Sequence, residues 1–411
     1  MTISELKKFK SIYILGYGIE GKSVHRFLSK FCPDVTVGIG DQTIDPEYLE
    51  KQVEYDLVIK SPGIRMDKVR GTYTTPTNIF FANNQCETVG VTGTKGKSTT
   101  VSLLHKVLVN AGKKAELAGN VGLPMLDLLT NGIDQDTIVI LELSSYQLED
   151  IAYSPHVSII LNILEELHNH GSFEEYVRAK YMIFQQAQHN DYVLFNPALP
   201  RIDEFLTSSA CHTINFSQYP DSYTFSKNIH INTVQALAAC IDLYKIDKSI
   251  LQKTLDSFQS LPHRQQTVGV VNGILFINDS AANHPGATFH ALESHERIAT
   301  ILLGGQDRGF DFAQVVELLK QKNVEHIVLF PNTQEKIIKL IELEQDYKPQ
   351  IFYSDSMESA VAYAFNHTAK GETCLLSPGA PSYLMFSGFP ARGEAFIKAI
   401  QEYEKNSTPT T

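Results

Sequence analysis

Short apolar runs alternate along this chain with loops rich in glycine and small polar residues. Residues 11–15 lead into a Gly-x-Gly-x-x-Gly loop at residues 16–21, after which apolar residues recur at helical spacing. The same order returns at residues 86–108, and apolar runs that end in small polar loops continue to residue 376. Strands that alternate with helices predict an α/β fold with mostly parallel sheets.

The first segment has the pattern of a Rossmann-like unit. A strand over residues 35–39 ends at Asp41, and an NAD site places an acidic residue about 20 positions beyond its glycines. A glycine loop of this kind can equally well pack a helix on a strand without binding NAD, so both interpretations stay open here. A third strand, residues 57–59, runs into Ser61, Pro62 and Gly63, where α/β folds place ligands.

The second segment contains a run typical of a nucleotide phosphate loop: Gly93, Thr94, Lys95, Gly96, Lys97, Ser98 and Thr99. Glycines allow backbone N–H groups to face phosphate oxygens, a lysine reaches the β- and γ-phosphates, and a hydroxyl binds Mg²⁺. The strict pattern asks for glycine at position 91, where this chain has valine. A plain glycine turn would not explain Lys97, Ser98 and Thr99, so the run predicts ATP or GTP binding.

Two further groups of polar residues follow strands of this segment. Glu142 comes directly after a strand at residues 138–141, where a carboxylate is the usual second ligand of Mg²⁺. Residues 165–170 crowd two glutamates and two histidines after another strand, and a helix that contains Lys180 comes next. Such crowding is either solvated loop charge or a metal and substrate site.

The organisation predicted from these patterns is three α/β domains in series. Residues 1–83 form a Rossmann-like domain, residues 84–261 a central P-loop ATPase-like domain with a mostly parallel sheet, and residues 262–411 a second Rossmann-like domain. In the last of these, strands at residues 274–277, 301–303, 327–330 and 373–376 each end in a small polar loop.

Composition changes this picture by excluding some classes of protein. With 411 residues, 43% hydrophobic and 20% charged, the chain is typical of a globular protein of two or three domains. The formal charge of −11 disfavours a nucleic-acid or membrane-surface binder. Five cysteines without a Cys-x-x-Cys motif indicate reduced thiols. Because we find no signal-peptide pattern and no apolar run of about 18 residues, we expect a cytoplasmic protein.

Taken together and in order, the motifs resemble those of the Mur ligases of peptidoglycan synthesis. The resemblance is carried by residues 61–64, 93–99, 119–122, 142–149, 176–180, 261–264, 278–280, 304–308 and 376–378, with Arg392 and Gly393. It implies ATP-dependent amide-bond formation through an acyl phosphate, most closely the addition of D-glutamate to UDP-N-acetylmuramoyl-L-alanine. It also implies that the first domain binds UDP rather than NAD.

The resemblance further implies roles for individual residues. ATP would be bound by residues 93–99 (Gly93, Thr94, Lys95, Gly96, Lys97, Ser98, Thr99) with Asn120, Asn232, Arg264 and Asp279. The UDP substrate would face Gly16, Tyr17, Gly18, Ser61, Pro62, Gly63 and Asn120. Two Mg²⁺ ions would be held by Ser98, Glu142, His168 and a carbamylated Lys180. Lys97, Glu142, His168 and Lys180 are the implied catalytic residues, and Asn283, Arg308, Ser382 and Phe389 the implied amino-acid site.

Departures from the family pattern leave alternatives open. The histidine of the second metal site corresponds to His168, or is replaced by Glu166. A lysine and a threonine of the amino-acid site are here Ala281 and Asn283. Arg308 favours an acidic amino acid as the substrate, because a guanidinium group binds carboxylates in a bidentate manner. L-Glutamate or another amino acid, and a non-catalytic nucleotide-binding relative, are the alternatives to a ligase specific for D-glutamate. We expect a monomer.

Overall fold

The computed structural model describes residues 1–164, 170–207, 209–219, 222–225, 229–258 and 261–407. Contacts between residues divide the chain into two compact units, residues 1–258 and 259–411. The first unit contains two sheets and the second unit contains one. The division of the first unit at residue 83, and with it the three-domain organisation, stays a prediction.

The first sheet is parallel and four-stranded, in the order β2-β1-β3-β4. Its strands are β1 Ser11–Leu15, β2 Thr36–Gly40, β3 Leu57–Lys60 and β4 Tyr73–Thr74, and the helices of this part are α1 Ile3–Leu6, α2 Ile19–Phe31 and α3 Pro76–Asn83. The glycine loop of the sequence motif thus connects β1 to α2, and β3 leads into Ser61.

The second sheet has six parallel strands in the order β10-β9-β8-β5-β7-β6. The strands are β5 Thr88–Thr92, β6 Ala115–Gly119, β7 Ile138–Glu142, β8 Val157–Ile160, β9 Tyr192–Phe195 and β10 His212–Asn215. The helices are α4 Lys97–Asn110, α5 Met125–Asn131, α6 Ser145–Leu148, α7 Phe173–Tyr181, α8 Ile202–Leu206, α9 Ile231–Leu243 and α10 Lys248–Asp256. Strands β5, β7 and β8 are buried along their whole length, as expected of a parallel sheet with helices on both faces.

The sheet of the second unit is mixed, in the order β11-β12-β16-β13-β14-β15, with β11 antiparallel to β12 and the other pairs parallel. Its strands are β11 Gln266–Val271, β12 Ile274–Asn278, β13 Ile298–Gly304, β14 His326–Phe330, β15 Gln350–Tyr353 and β16 Thr373–Leu376. Its helices are α11 Pro285–Ser294, α12 Ala313–Gln321, α13 Gln334–Leu343, α14 Met357–His367 and α15 Phe389–Ser407. The predicted α/β class with largely parallel sheets is confirmed.

The apolar cores follow the sheets. One cluster of buried side chains joins the first sheet to one face of the second, because α5 packs on both α2 and α3. Another fills the opposite face of the second sheet beneath α4, α9 and α10. Two more clusters cover the two faces of the third sheet. In the part of the chain that the structure describes, no helix combines the length and the hydropathy that a membrane crossing requires.

Candidate functional site

The loop between β5 and α4 has the backbone of a phosphate-binding turn. Gly93 and Gly96 have φ values of +149° and +84°, which L side chains rarely adopt. A Cβ on Gly93 would lie 3.1 Å from Leu161 Cβ, so this position also lacks room for a side chain. Helix α4 begins immediately after Gly96, and the loop therefore lies at the positive end of a helix of 14 residues.

Asn162, which follows β8, holds this loop in place. Its backbone carbonyl accepts a hydrogen bond from Thr94 N at 2.9 Å, and its side-chain oxygen accepts one from Lys95 N at 2.9 Å. Its Nδ2 donates to Lys95 O at 3.1 Å. These contacts fix the loop through the neutral backbone and side chain of Asn162.

Two lysines converge on the same loop carbonyl. Lys97 Nζ donates to Gly93 O at 2.8 Å and to Thr94 O at 3.0 Å. Lys180, on α7 and 1% exposed, donates from Nζ to Gly93 O at 3.0 Å and lies 4.5 Å from the ring centroid of Tyr176. The two ammonium nitrogens are therefore at most 5.8 Å apart, the sum of 2.8 Å and 3.0 Å.

Glu142 lies at the end of β7, paired in register with Val91 of the strand that leads into the phosphate loop. Its side chain is buried, and Oε1 accepts a hydrogen bond from Asn120 Nδ2 at 2.7 Å. Oε2 is buried without a hydrogen-bond partner. An unsatisfied carboxylate oxygen in the interior is costly, and a hard cation such as Mg²⁺ would satisfy it. Glu142 and the buried Ser98 hydroxyl, at the second residue of α4, therefore fit a Mg²⁺ site.

The described residues contain no cluster of three or more His, Cys, Asp or Glu side chains that could hold a metal ion by themselves. Such a set is not needed for Mg²⁺, which usually takes one or two carboxylates together with phosphates and water. His168 and its alternative Glu166, implied for a second metal, lie outside the described residues. His170 is buried, stacks on Tyr146 with ring centroids 5.3 Å apart, and shares a 3.0 Å hydrogen bond with Ser145 Oγ.

Asn232 also lies beside the phosphate loop. It stands in the first turn of α9, and its Nδ2 donates to Leu161 O at 2.9 Å. Leu161 is the residue whose Cβ faces Gly93, and the next residue of α9, Thr233, faces Gly96. The structure thus brings Lys180 into contact with the phosphate loop and places Asn232 and the Asn120–Glu142 pair at strand ends beside it.

The residues implied for UDP form two neighbouring loops of the first sheet. Gly16, with φ of +92°, accepts a hydrogen bond on its carbonyl from Ser61 Oγ at 2.8 Å, so the two loops touch. Tyr17 N donates to Asp41 Oδ2 at 2.8 Å, and Gly18 caps α2 without a side chain. Pro62 and Gly63 continue the second loop, and no atom lies within 4 Å of a Cβ built on Gly63.

Carboxylates surround the first of these loops. Burial works to raise the pKa of Asp41, but hydrogen bonds from Thr43 and Tyr17 outweigh it and hold the pKa below its ordinary value. Glu20, in the first turn of α2, has a pKa raised to about 7 by burial and then by the charge of Asp127. Its Oε2 is buried without a hydrogen-bond partner. Asp41 therefore binds the loop backbone rather than standing ready for the ribose of NAD.

The second unit holds the residues implied for the amino acid and two residues implied for ATP. Ser382 is buried and lines a small pocket with Gly305, Leu384 and Arg392. Arg308 is exposed and its guanidinium lies 5.9 Å from the ring centroid of Tyr383. Phe389 contributes a backbone carbonyl that accepts a hydrogen bond from Ser280 Oγ at 2.8 Å.

Of the two residues implied for ATP in this unit, one is buried and one is exposed. Asp279 is buried and accepts hydrogen bonds from Gln265 N at 3.1 Å and Ser377 Oγ at 2.7 Å. Arg264 is exposed. Both belong to residues 259–411, whereas the phosphate loop belongs to residues 1–258. Their part in binding ATP stays a prediction.

Arg392 lines the same small pocket as Ser382, and the sequence analysis assigned it no role. Its side chain is 2% exposed and donates to Ser280 Oγ at 3.1 Å, Ser280 O at 2.8 Å, Ala380 O at 2.9 Å and Asn283 Oδ1 at 3.3 Å. Burial lowers its pKa to about 10, against the opposing effect of Asp279. A buried cation whose hydrogen-bond acceptors are all neutral favours an anionic ligand nearby. The sequence signal that could have pointed to this residue is the pair Arg392-Gly393 near the start of α15.

The comparisons with known proteins agree on one family. Residues 91–252 match the family model described as the Mur ligase middle domain, and residues 263–380 match the Mur ligase, glutamate ligase domain. A UDP-N-acetylmuramoylalanine--D-glutamate ligase of Natranaerobius thermophilus is 31% identical over 86% of this chain and 86% of its own length. A protein of the same name from Enterococcus faecalis is 31% identical over 97% of this chain and 98% of its own length.

Solved structures agree on the fold. A UDP-N-acetylmuramate-alanine ligase, MurC, from Thermotoga maritima aligns with a TM-score of 0.60 over 96% of this chain and all of its own, at 16% identity. A bifunctional folylpolyglutamate synthase/dihydrofolate synthase from Yersinia pestis aligns with a TM-score of 0.56 over 75% of this chain and 88% of its own, at 15% identity.

Proposed function

Because this chain belongs to the Mur ligase family, we propose that it is an ATP-dependent ligase that joins D-glutamate to UDP-N-acetylmuramoyl-L-alanine. The product would be a precursor of peptidoglycan. The observation that carries the proposal is the convergence of Lys97 and Lys180 on one carbonyl of the phosphate loop, beside a buried carboxylate with an unsatisfied oxygen.

The reaction needs an activated carboxyl group. The L-alanine carboxylate attacks the γ-phosphorus of ATP, and ADP leaves, which gives an acyl phosphate. The amino group of D-glutamate then attacks the acyl carbon, and the tetrahedral intermediate collapses with loss of phosphate and a proton. Negative charge moves onto phosphoryl and carbonyl oxygens in both steps, so catalysis depends on fixed positive charge and positioning.

The phosphate loop supplies part of that charge. Its backbone N–H groups and the start of α4 bind phosphate oxygens, and Lys97 remains above the loop because two carbonyls hold its ammonium group. Bound Mg²⁺ would add positive charge at the phosphoryl oxygens, and Ser98 and Glu142 are the residues that would hold it. Asn120 orients Glu142 by its hydrogen bond to Oε1.

We propose carbamylation of Lys180 as part of the same site. Two ammonium groups at most 5.8 Å apart repel each other, and conversion of one to a carbamate replaces that repulsion by attraction. The carbamate oxygens would serve a second Mg²⁺ together with His168. In Lys180→Ala, acetate at high concentration should restore part of the lost activity, whereas methylamine should not. Rescue by the amine instead would show that Lys180 acts as a cation.

Substrate binding follows from the other loops. We assign the uridine diphosphate to Gly16, Tyr17 and Gly18 together with Ser61, Pro62 and Gly63, because these two loops touch at the carboxyl ends of β1 and β3. We assign D-glutamate to Arg308, Ser382, Asn283 and the Phe389 segment, where buried Arg392 provides a further positive charge.

Phosphate release from ATP tests the function directly. The purified protein is incubated with UDP-N-acetylmuramoyl-L-alanine and either D-glutamate or L-glutamate, with MgCl₂ and without it. We expect turnover with the D enantiomer and Mg²⁺ only. Turnover with L-glutamate alone would contradict the assignment of the amino acid, and no turnover with either enantiomer would contradict the ligase itself.

We place the reaction in the cytoplasm and propose that a single chain performs it. The substrates are a nucleotide-linked sugar, ATP and an amino acid, and the phosphate loop and the two loops assigned to UDP lie within residues 1–258. Light scattering after size exclusion should give a mass near 45.9 kDa at assay concentrations. A dimer mass with activity that falls on dilution would show that a second copy is needed.

A further inference from the structure

A buried ion pair lies directly behind the second loop of the UDP subsite. Lys60 is the last residue of β3, and its side chain is 0% exposed. Its Nζ lies 3.3 Å from Asp150 Oδ2 and donates a hydrogen bond to Ile64 O at 3.2 Å. Lys60 precedes the loop of residues 61–63 and Ile64 follows it. The Lys60 ammonium group therefore connects the two ends of the loop and links both to Asp150.

Asp150 is itself held in place by its backbone. Asn78, in the first turn of α3, donates from Nδ2 to Asp150 O at 2.8 Å and accepts a hydrogen bond from Ala152 N at 2.8 Å. The Asp150 side chain is 8% exposed, and the Tyr73 hydroxyl lies close to it, so that burial and then Asp150 raise the pKa of Tyr73. Lys60 is thus the cation that compensates the charge of the buried Asp150 carboxylate.

The position of Asp150 in the chain connects two subsites. It follows Glu142 by one short helix, α6, so the segment of residues 142–150 runs from the proposed Mg²⁺ ligand to the loop proposed for UDP. Both ends of this segment are fixed, by Asn120 at Glu142 and by Lys60 and Asn78 at Asp150.

Stability alone does not account for a charged pair at this place. Replacing a buried ion pair by apolar residues of similar volume is often neutral or stabilising. We propose that Lys60 is a positioning residue for the UDP substrate. With Asp150 it fixes the loop of residues 61–63 against the segment that starts at Glu142, so that the loop is already ordered when the UDP substrate binds. This inference rests on the proposed function, in which that loop binds UDP.

The test separates KM from kcat in Lys60→Met, Lys60→Arg and the apolar pair Lys60→Met/Asp150→Leu. In Lys60→Met we expect the KM for UDP-N-acetylmuramoyl-L-alanine to rise about tenfold, because the loop must be ordered on binding. The KM values for ATP and D-glutamate should stay within about twofold, since neither substrate touches this loop. Lys60→Arg keeps the cation and should restore most of the affinity.

The apolar pair distinguishes positioning from folding. It removes the uncompensated charge that a single substitution leaves, so it should unfold at nearly the wild-type temperature and still show the raised KM. A wild-type KM in this folded variant would overturn the proposal, as would a loss confined to kcat. Lys320→Met, which breaks the Lys320–Glu344 pair of 2.8 Å in the second unit, is the matched control and should leave every KM unchanged.

The two proposals fail in different ways. A wild-type protein that releases no phosphate would refute the ligase function. In that case calorimetric titration with UDP-N-acetylmuramoyl-L-alanine alone, without ATP, still tests Lys60. Equal dissociation constants in wild type and in the apolar pair would overturn its positioning role.

Discussion

The first unit contains two glycine loops of the same design and opposite electrostatic character. Each connects a parallel strand to a helix through glycine with positive φ, at Gly16 in the first loop and at Gly93 and Gly96 in the second. The Asp41 carboxylate binds the first loop, whereas the Lys97 and Lys180 ammonium groups lie against the second. The backbone turn provides an anion site in both, and the neighbouring side chains decide how much negative charge each one accepts.

The way each loop is held strengthens this contrast. Asp41 uses a charged oxygen to bind Tyr17 N, so one loop amide is already satisfied by the protein. Asn162 holds the second loop through neutral groups. A triphosphate, with several charges at close range, needs the second arrangement. A nucleoside diphosphate that is also bound through its base and sugars can bind at the first loop, where Asp41 is close by.

The largest effect is expected when the positive charge of the second loop is removed. Lys97→Met should lower kcat/KM for phosphate release by about 10²–10³-fold, because charge that develops in the transition state loses a fixed partner. Lys106→Met, further along the same helix and exposed, is the matched control and should be nearly neutral. A loss of less than tenfold in Lys97→Met would show that the lysine is not central.

The next prediction compares how much an alanine substitution at a glycine of each loop changes the unfolding free energy. Gly93→Ala places a Cβ at a φ of +149° and 3.1 Å from Leu161 Cβ, and should cost about 1–3 kcal/mol of unfolding free energy. Gly18→Ala has a φ of −72° and no neighbour within 4 Å of the new Cβ, so a change within about 0.5 kcal/mol is expected. Urea denaturation of both variants measures the difference, and equal losses would contradict it.

A pH dependence is expected at the first loop. With a folded pKa of about 7 and an ordinary value of 4.5, Glu20 keeps its proton in the native state while the unfolded chain has released it. Stability therefore falls as the pH rises through that interval, by at most about 3 kcal/mol.

In Glu20→Gln this fall should be absent. Variant and wild type would then have similar unfolding free energies near pH 5, and the variant would be the more stable near pH 8. Urea titrations across the interval measure it, and parallel curves for the two proteins would refute the assignment.

The smallest effect concerns Asp41. Asp41→Asn keeps a side-chain oxygen that can accept from Tyr17 N, so stability should change by no more than about 1 kcal/mol and the KM for the UDP substrate by about twofold. Asp41→Ala removes the acceptor for Tyr17 and Thr43 together and should cost more. If the two variants are equal in urea denaturation, the hydrogen bonds do not matter for the loop.

What the sequence could predict depended on how close the partners lie along the chain. The phosphate loop and the start of α4 are contiguous and were predictable from glycine placement and helical spacing. Asn162, which clamps Lys95 from 67 residues away, has no local signal. Strand β6 was not predicted either, because Ala-Glu-Leu-Ala-Gly has neither an apolar run nor a clean alternation.

The same dependence on distance along the chain applies to the residues of the candidate site. Glu142 was placed by the strand before it, but its unsatisfied oxygen depends on burial between β5 and β6, which only the topology determines. Arg392 reaches Ser280 across 112 residues and Asn283 across 109 residues, so only the folded chain shows that it lies in the pocket proposed for the amino acid. The resemblance to a family predicts which strings form the site, and the roles of the individual residues stay predictions.

Helix α5 limits how modular this protein can be. Met125 and Leu126 are fully buried against the helices of the first sheet, while the strand before them belongs to the second sheet. A chimera that exchanged residues 1–83 for another nucleotide-binding fold would expose this apolar face to water and invite aggregation. Exchange of segments, in the laboratory or in evolution, keeps this face covered only if residues 1–258 move together.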